Sequence, residues 1–140
     1  MKTRYLFAII LTVMTTPLAA QSTGQGVDIP PAEWLAMAAG RTLTYRLNGE
    51  FWALEHYHEG TNRVSLELRS GECVEGTWEY QEPWYCFHWE VIGTSCFRHA
   101  MTEQGEIIIE PMAEPGTNPS IQHMTGISNV PLNCTPPSTS

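Results

Sequence analysis

Two cysteines and two histidines lie within sixteen positions, in the stretch CFHWEVIGTSCFRHAM at residues 86–101. Thiolate sulfur and imidazole nitrogen are the ligands from which proteins build structural zinc sites. Such a site needs four ligands that converge on one point in a tetrahedral arrangement. Whether these four side chains can converge depends on the strands that carry them.

Strand alternation separates the four candidates. Successive side chains of a strand point to opposite faces, and Phe87 is expected to face a core. Its neighbours Cys86 and His88 then face outward. In the following strand Cys96 also faces outward, whereas His99 faces inward. Side chains on opposite faces cannot bind one ion, so we expect no zinc site here.

Residues 1–20 have the pattern of a secretory signal peptide. A basic start at residues 1–4 precedes an apolar run, and Ala19 and Ala20 supply the small residues of a cleavage site. Cleavage is expected after Ala20. No later stretch approaches the roughly 20 apolar residues that a membrane helix needs. We therefore expect a periplasmic or secreted protein without a membrane span.

Cysteines of an exported protein meet an oxidising compartment, where disulfides form and persist. The chain has four cysteines, an even number: Cys73, Cys86, Cys96 and Cys134. Cys86 and Cys96 are expected on adjacent strands and on the same face, so a bridge between them would staple a hairpin. Cys73 would then pair with Cys134 and hold the tail of the chain. Four cysteines allow three pairings, and the sequence leaves the other two open.

His56 and His58, in the stretch EHYHEG, form a second candidate metal site. Two positions apart on one strand, they share a face at a separation of roughly 7 Å. A transition metal would need a third ligand from elsewhere, for example Glu50 or Glu59. The alternative is a pair of polar residues near a hairpin tip, and this interpretation is preferred. We expect no metal and no cofactor.

Five tryptophans are many for a chain of 140 residues. Most of them should be buried, because such rings remove large areas from water. Small barrels that have space inside can also hold ligands at their mouths. Trp52, Trp78 and Trp89 are the candidates for lining a ligand pocket.

The sequence offers little catalytic machinery. A nucleophilic serine needs a histidine base that a carboxylate orients, and no serine lies in a G-x-S-x-G turn. Glu75 and Glu79 would share a strand face, as a glycosidase pair could, but that face is expected to be solvated. We expect no enzymatic activity, and a small hydrolase remains as an alternative.

The chain is acidic beyond its first segment. Residues 21–140 contain five arginines, no lysine and fifteen acidic residues, which gives a formal charge of −10. Binding to phosphate backbones and docking on anionic membranes both depend on basic residues. We therefore exclude nucleic acids, and we expect a monomer whose partner is a small ligand or an envelope protein.

Glycine-bearing turns divide the middle of the chain into short runs rich in threonine, aromatic and β-branched residues. The connections are so short that consecutive strands must be antiparallel neighbours. The seven predicted strands are residues 41–48, 50–58, 63–69, 73–80, 84–91, 96–102 and 106–111.

A meander of this length avoids exposed edges by closing on itself. The predicted fold is all-β, a small antiparallel barrel that is lipocalin-like or partly open, with a two-sheet sandwich as the alternative. Residues 21–30 are predicted as a flexible leader and residues 31–112 as the barrel domain, which begins with a short helix. Residues 113–140 form a proline-rich tail that is not expected to supply a strand in the middle of a sheet.

Three segments, SGECVEGTW, WYCFHWE and SCFRHA, resemble a pattern found in small exported bacterial proteins of unknown function. The pattern is Gly-x-Cys-x-x-Gly-x-Trp, then Cys-Phe-x-aromatic-Glu, then Cys-aromatic. Its marked positions here are Cys73, Cys86 and Cys96. The resemblance covers roughly residues 40–110. It implies a bacterial envelope protein with Phe87 and Trp89 in the core, and it implies no activity.

A weaker likeness, by class alone, is to bacterial lysozyme inhibitors, which are also exported, small, β-rich and disulfide-bonded. Such an inhibitor needs an exposed loop, for which VIGTS and EHYHEG are the candidates. The negative charge would favour an encounter with a basic enzyme. The sequence thus predicts a non-catalytic binding domain, with inhibition of a secreted basic enzyme as the alternative.

Overall fold

A computed structural model describes residues 25–134 of the chain. The expected signal peptide, its cleavage site and the last residues of the tail lie outside this range. The elements within it are, in chain order, β1 Val27–Asp28, α1 Pro31–Ala38, β2 Thr42–Leu47, β3 Glu50–Tyr57, β4 Arg63–Leu68, β5 Cys73–Gln81, β6 Trp84–Trp89, β7 Gly93–Met101, β8 Ile107–Pro111 and β9 Gln122–Ser128. The seven predicted strands are present as β2 to β8.

Strands β2 to β9 form a closed antiparallel barrel of eight strands. Each strand pairs with the next one along the chain, and β9 returns to pair with β2. Closure gives each of these strands a neighbour on both sides, which is how a barrel avoids exposed edges. The predicted all-β barrel is therefore confirmed, and the two-sheet sandwich is excluded.

The closing strand β9 corrects the prediction for residues 113–140. We expected no strand within a sheet there because of the prolines, and this was wrong: β9 lies between β2 and β8. The prolines flank the strand rather than interrupt it, since none lies between Pro119 and Pro131. The barrel thus has eight strands instead of seven, and its domain extends beyond residue 112 to the end of β9.

Strand β1 corrects the prediction of a flexible leader, from Gln25 onward. It pairs with the part of β7 that extends beyond β6. Arg98, which is 4% exposed, donates hydrogen bonds to the backbone oxygens of Gln25 and Gly26, both at 2.9 Å. Its guanidinium also forms an ion pair with Asp28. A buried charge is stable when it is paired and hydrogen-bonded, so Arg98 holds the leader against the barrel wall.

Helix α1 covers one end of the barrel. Its proline in the first turn, Pro31, is tolerated there because the first helical N–H groups have no partner within the helix. Trp34 is fully buried, and its ring centroid lies 6.0 Å from that of Tyr57 and 4.2 Å from that of His99. This is the closed end of the barrel. The opposite end, where the turns β2–β3 and β6–β7 lie, is the open end.

The barrel interior is filled mainly by apolar and aromatic side chains that alternate with outward-facing ones, as the period of a strand requires. The buried core consists of Ile29, Trp34, Ala38, Leu43, Tyr45, Ala53, Tyr57, Val64, Leu66, Val74, Tyr85, Phe87, Trp89, Ile107 and Ile109. Within residues 25–134, no helix has the length and apolar character that crossing a bilayer requires.

Two disulfides join cysteines on the outer wall of the barrel. Cys86 and Cys96 are direct partners in the ladder of β6 and β7, and their bond staples this hairpin. Cys73 in β5 is bonded to Cys134 and ties the chain after β9 to the wall. This is the pairing that the sequence favoured. All four thiols are consumed, so none remains for a metal ion.

Candidate functional site

The open end of the barrel leads into a cavity of about 110 Å³. Inward-facing side chains of seven of the eight barrel strands converge on it. Trp52 and Ile92 lie at its mouth, where both are exposed. The other lining residues are Tyr45, Glu55, Leu66, Phe87, Trp89, Ser95, Phe97, His99, Ile109 and Gln122.

Aromatic rings form one wall of this cavity. Phe87 and Trp89 are two apart on β6 and therefore share the inner face, where their rings stack at 5.7 Å with planes 7° apart. Phe97 of β7 meets Phe87 edge to face at 6.0 Å. Trp52 adds a fourth ring from the start of β3 and is 38% exposed. The wall is apolar and is built from four aromatic side chains.

Glu55 is the acidic residue of the cavity. It lies at an inward position of β3, is 5% exposed, and its Oε2 accepts a hydrogen bond from the Tyr45 hydroxyl at 2.7 Å. Burial raises the pKa of Glu55 to about 7, although the hydrogen bond from Tyr45 acts in the opposite direction. The carboxyl group can therefore gain or lose its proton near neutral pH without leaving the barrel.

His99 lines the same cavity from β7. It is 1% exposed and lies between two rings, stacked on Tyr85 at 4.0 Å and tilted against Trp34 at 4.2 Å. Burial lowers its pKa to about 3, so the imidazole is neutral at physiological pH. Its Nδ1 is buried without a hydrogen-bond partner, as are the indole nitrogens of Trp34 and Trp78 and the Tyr57 hydroxyl; of these four atoms only that of His99 belongs to a residue lining the cavity.

Two of the three tryptophans predicted to line a pocket lie at the cavity, and the third does not. Trp52 and Trp89 line the cavity. Trp78 does not: it packs towards the closed end, 6.2 Å from Tyr57 and 5.9 Å from Tyr85 between ring centroids. Its indole nitrogen is buried without a partner. The prediction named all three as candidates for lining a pocket, and strand alternation gives no information about how deep in the barrel a residue lies.

Glu55 and His99 were not among the predicted site residues, although each left a signal in the sequence. Glu55 occupies an inward position between Ala53 and Tyr57, and a charged residue on a buried strand face is rare unless it has a role. His99 was expected to face the core together with Phe97, and it does. A search for polar residues at inward positions would have found both.

His56 and His58 lie on the outer wall, with ring centroids 5.0 Å apart. Each ring already has a partner: His56 Nδ1 lies 3.1 Å from the Thr42 hydroxyl, and His58 Nε2 lies 2.7 Å from the Ser65 hydroxyl. Burial and the neighbouring His58 lower the pKa of His56. Across residues 25–134, no group of three or more histidine, cysteine or acidic side chains could hold a metal ion.

Ser65 tests the hydrolase alternative, because it lies within hydrogen-bonding distance of a histidine. Its hydroxyl donates a hydrogen bond to Glu75 Oε2 at 2.7 Å, while His58 Nε2 lies 2.7 Å from the Ser65 hydroxyl oxygen itself. In a catalytic triad the histidine lies between the serine and the carboxylate, whereas here the serine occupies the middle. The serine is also 5% exposed. The three side chains form a hydrogen-bonded chain that joins β3, β4 and β5.

A larger depression, of about 670 Å³, lies outside the barrel beside β8 and β9, which share only three residue pairs. Gly49, Gly105 and Gly126 form part of its wall and leave it wide because they lack side chains. It is open to solvent, and small ligands gain affinity mainly from enclosure. The cavity at the open end is therefore the stronger candidate for a binding site.

The turn between β6 and β7 projects from the open end. Val91 is 74% exposed and Ile92 is 55% exposed, and the Cys86–Cys96 disulfide fixes the strands that carry them. Exposed apolar residues on a rigid hairpin are typical of contacts with other molecules. The turn also borders the cavity, since Ile92 belongs to its mouth.

Comparison with known proteins adds no assignment: no family model matches the chain, and neither a curated protein nor a solved structure matches it. The resemblance to small exported bacterial proteins therefore stays a prediction. The function has to be argued from the geometry of the site.

Proposed function

We propose that the protein is an exported, non-catalytic binding domain that takes a small ligand into the open end of its barrel. The observation that carries this proposal is the cavity of about 110 Å³, which is walled by aromatic rings and contains a buried carboxyl group. A cavity of this kind combines an apolar surface with a few placed polar groups, as small-molecule sites do.

The polar groups of the cavity support a binding role over a purely structural one. Burying a carboxyl group or an unsatisfied ring nitrogen opposes folding. Glu55 and the Nδ1 atom of His99 both lie in the interior, where apolar side chains would stabilise the barrel more. Features that weaken a fold tend to persist at functional sites.

The size of the cavity limits the ligand. An engineered protein cavity of roughly 150 Å³ takes up benzene, so a space of about 110 Å³ admits a group of similar or smaller size. Larger molecules would have to leave part of their volume at the mouth, between Trp52 and Ile92. We therefore propose a ligand, or a terminal group of a ligand, with about four to six non-hydrogen atoms.

Export is the second part of the proposal. Two disulfides are compatible with an oxidising compartment, and the expected signal peptide would deliver the chain there. The formal charge of −10 over residues 21–140 agrees with a partner that is neither a nucleic acid nor an anionic membrane. A periplasmic or secreted protein fits these observations.

Titration with tert-butanol, followed by NMR, tests the binding proposal. We expect saturable shifts at Trp89 and Phe97. Ser95→Phe fills the cavity and should abolish them, whereas Thr94→Phe, on the adjacent outward position of β7, should leave them unchanged. Ser95 lines the cavity, and Thr94 is exposed. Shifts that survive Ser95→Phe, or no saturable shift in the wild type, would count against the proposal.

The exposed turn favours a second function, the inhibition of a secreted basic enzyme. Val91 and Ile92 offer apolar contacts on a rigid hairpin, and the acidic chain would attract a basic partner. Val91→Asp should then weaken inhibition of a basic lysozyme by at least tenfold, while Glu103→Ala, on the distant β7–β8 turn, should not. Absence of inhibition by the wild type would exclude this function for that enzyme.

A further inference from the structure

We infer that the ligand group bound in the cavity is a small organic cation, such as a methylated ammonium group, held between the aromatic wall and the carboxylate of Glu55. This inference rests on the proposed function and names the chemical class of its ligand. Three independent features support it: the rings, the charged groups of the cavity and the charge of the whole chain.

The rings are arranged in a way that suits a cation. Phe87 and Trp89 stack on each other, Phe97 meets Phe87 edge to face, and Trp52 lines the mouth of the same space. The faces of aromatic rings are electron-rich, so several rings around one cavity attract a positive charge. Sites that recognise quaternary ammonium groups are built in this way. The lining also includes three aliphatic side chains, Leu66, Ile92 and Ile109, which contact any apolar part of the ligand.

The titratable groups of the cavity also favour a cationic ligand. Its lining includes one acidic residue, Glu55, and no arginine or lysine. The imidazole of His99 is uncharged, because burial lowers its pKa to about 3. An anionic ligand would meet no cation there and would face a carboxyl group, whereas a cation would find a counter-ion in Glu55 whenever this carboxyl group is ionised.

The chain as a whole favours a cation as well. With a formal charge of −10 over residues 21–140, the surface potential is negative and concentrates small cations near the molecule. None of the five arginines lines the cavity. Two of the arginines, Arg46 and Arg69, lie beside the turns of the open end, and Arg69 is paired there with Glu50.

Glu55 is the group that would make such binding depend on pH. Its neighbours Tyr45 on β2 and Tyr57 on β3 have pKa values that burial raises well above the ordinary tyrosine value, so both keep their protons. His99 on β7 stays neutral. Between pH 5.5 and 8.5 the cavity thus changes charge at Glu55 alone, and a cation should bind more tightly at the higher pH.

Three probes of similar size distinguish a preference for a cationic, a neutral or an anionic ligand: tetramethylammonium, tert-butanol and pivalate, respectively. With a pKa of about 7 for Glu55, ionisation rises about 30-fold between pH 5.5 and 8.5. Tetramethylammonium affinity should increase by up to that factor, measured by NMR titration of the exported chain. The affinity of tert-butanol should change less than twofold.

Two substitutions in the cavity and one matched control outside it complete the test. Glu55→Gln should remove the pH dependence of tetramethylammonium binding and weaken it at least tenfold at pH 8.5. The matched control is Glu50→Gln, which makes the same charge change on the same strand at an exposed position that pairs with Arg69 outside the cavity. Trp52→Leu keeps an apolar residue at the mouth but removes a ring face, and should weaken the cation about fivefold and tert-butanol little.

The outcomes separate the inference from the proposed function. If tert-butanol or pivalate binds in the cavity and tetramethylammonium does not, the cation inference is overturned and the binding function stands. If Glu50→Gln weakens tetramethylammonium as much as Glu55→Gln, the surface charge and not the cavity attracts it. If none of the three probes binds, the inference and the proposed function both fail.

Discussion

Burial shifts the pKa values of Glu55 and His99 in opposite directions within the same barrel interior. The pKa of Glu55 rises from 4.5 to about 7, so the folded chain holds a proton that the unfolded chain releases between these values. The pKa of His99 falls from 6.5 to about 3, so the unfolded chain holds the additional proton there. Stability contributed by Glu55 therefore falls as pH rises, and stability contributed by His99 falls as pH drops.

Replacing Glu55 should show how much this residue contributes to the pH dependence of the stability. Glu55→Gln keeps the shape of the side chain and cannot ionise, so its stability advantage over the wild type should grow by about 3 kcal/mol from pH 4 to pH 8. Urea unfolding at the two pH values measures this difference. The exposed Glu50→Gln should show no such trend, and an equal trend in both variants would show that Glu55 is not the cause.

For single residues, the sequence predicted which face of a strand a side chain occupies, but not how deep in the barrel it lies. Alternation correctly placed Cys86, Cys96 and His99 on their faces, and from these faces came the disulfide preference and the argument against a zinc site. Which inward residues surround a cavity depends on how the strands are staggered around the barrel. Nothing in the local pattern of β3 distinguishes Glu55 near the open end from Tyr57 near the closed one.

The two disulfides close chain segments of very different length: one joins the two strands of a hairpin, and the other closes a long loop. Cys86–Cys96 closes a loop of sequence separation 10, and Cys73–Cys134 closes one of 61. Because the entropy removed from the unfolded chain grows with loop length, replacing both cysteines by serine should cost about 3 kcal/mol for the first pair and about 4 kcal/mol for the second.

Chemical denaturation of the two double-serine variants, each compared with the wild type, measures these costs. The hairpin pair should also matter for any partner that contacts Val91 and Ile92, because the turn loses its rigid base. A larger loss of stability from the hairpin pair than from the long-loop pair would contradict the entropic argument.

Among the elements, the seven strands β2 to β8 were predicted with boundaries close to those observed, since each is bounded by turn residues and carries β-branched or aromatic side chains. β9 was missed because compositional bias in the surrounding tail outweighed a seven-residue stretch without proline. β1 was missed because two residues carry no periodicity. Its position depends on Arg98, which lies about 70 residues further along the chain.

At the scale of the molecule, closure of the barrel depends on β9. A chain that ends at Met112 lacks this strand and should leave β2 and β8 with open edges, so we expect it to aggregate and to lose its near-ultraviolet circular dichroism. The matched control ends at Val130 and carries Cys73→Ser, so that it lacks the same disulfide but keeps β9.

That control should remain folded and monomeric in size-exclusion chromatography, with a stability lowered by the loss of one disulfide. A chain ending at Met112 that stays monomeric, with native circular dichroism, would show that seven strands suffice. A partly open barrel, which is one of the two forms that the sequence predicted, would then be a stable arrangement of these seven strands.

The pairing of β2 with β9 has a consequence for how the chain acquires its shape. Thr42 and Ser128 are partners although they lie far apart in sequence. Contacts of this range form slowly, because a long loop must close before they gain any free energy. A chain that emerges with its N-terminus first keeps the edge of β2 unpaired until β9 follows. The cavity at the open end thus forms last, and the interval before it forms is when the chain most needs protection from other unfolded molecules.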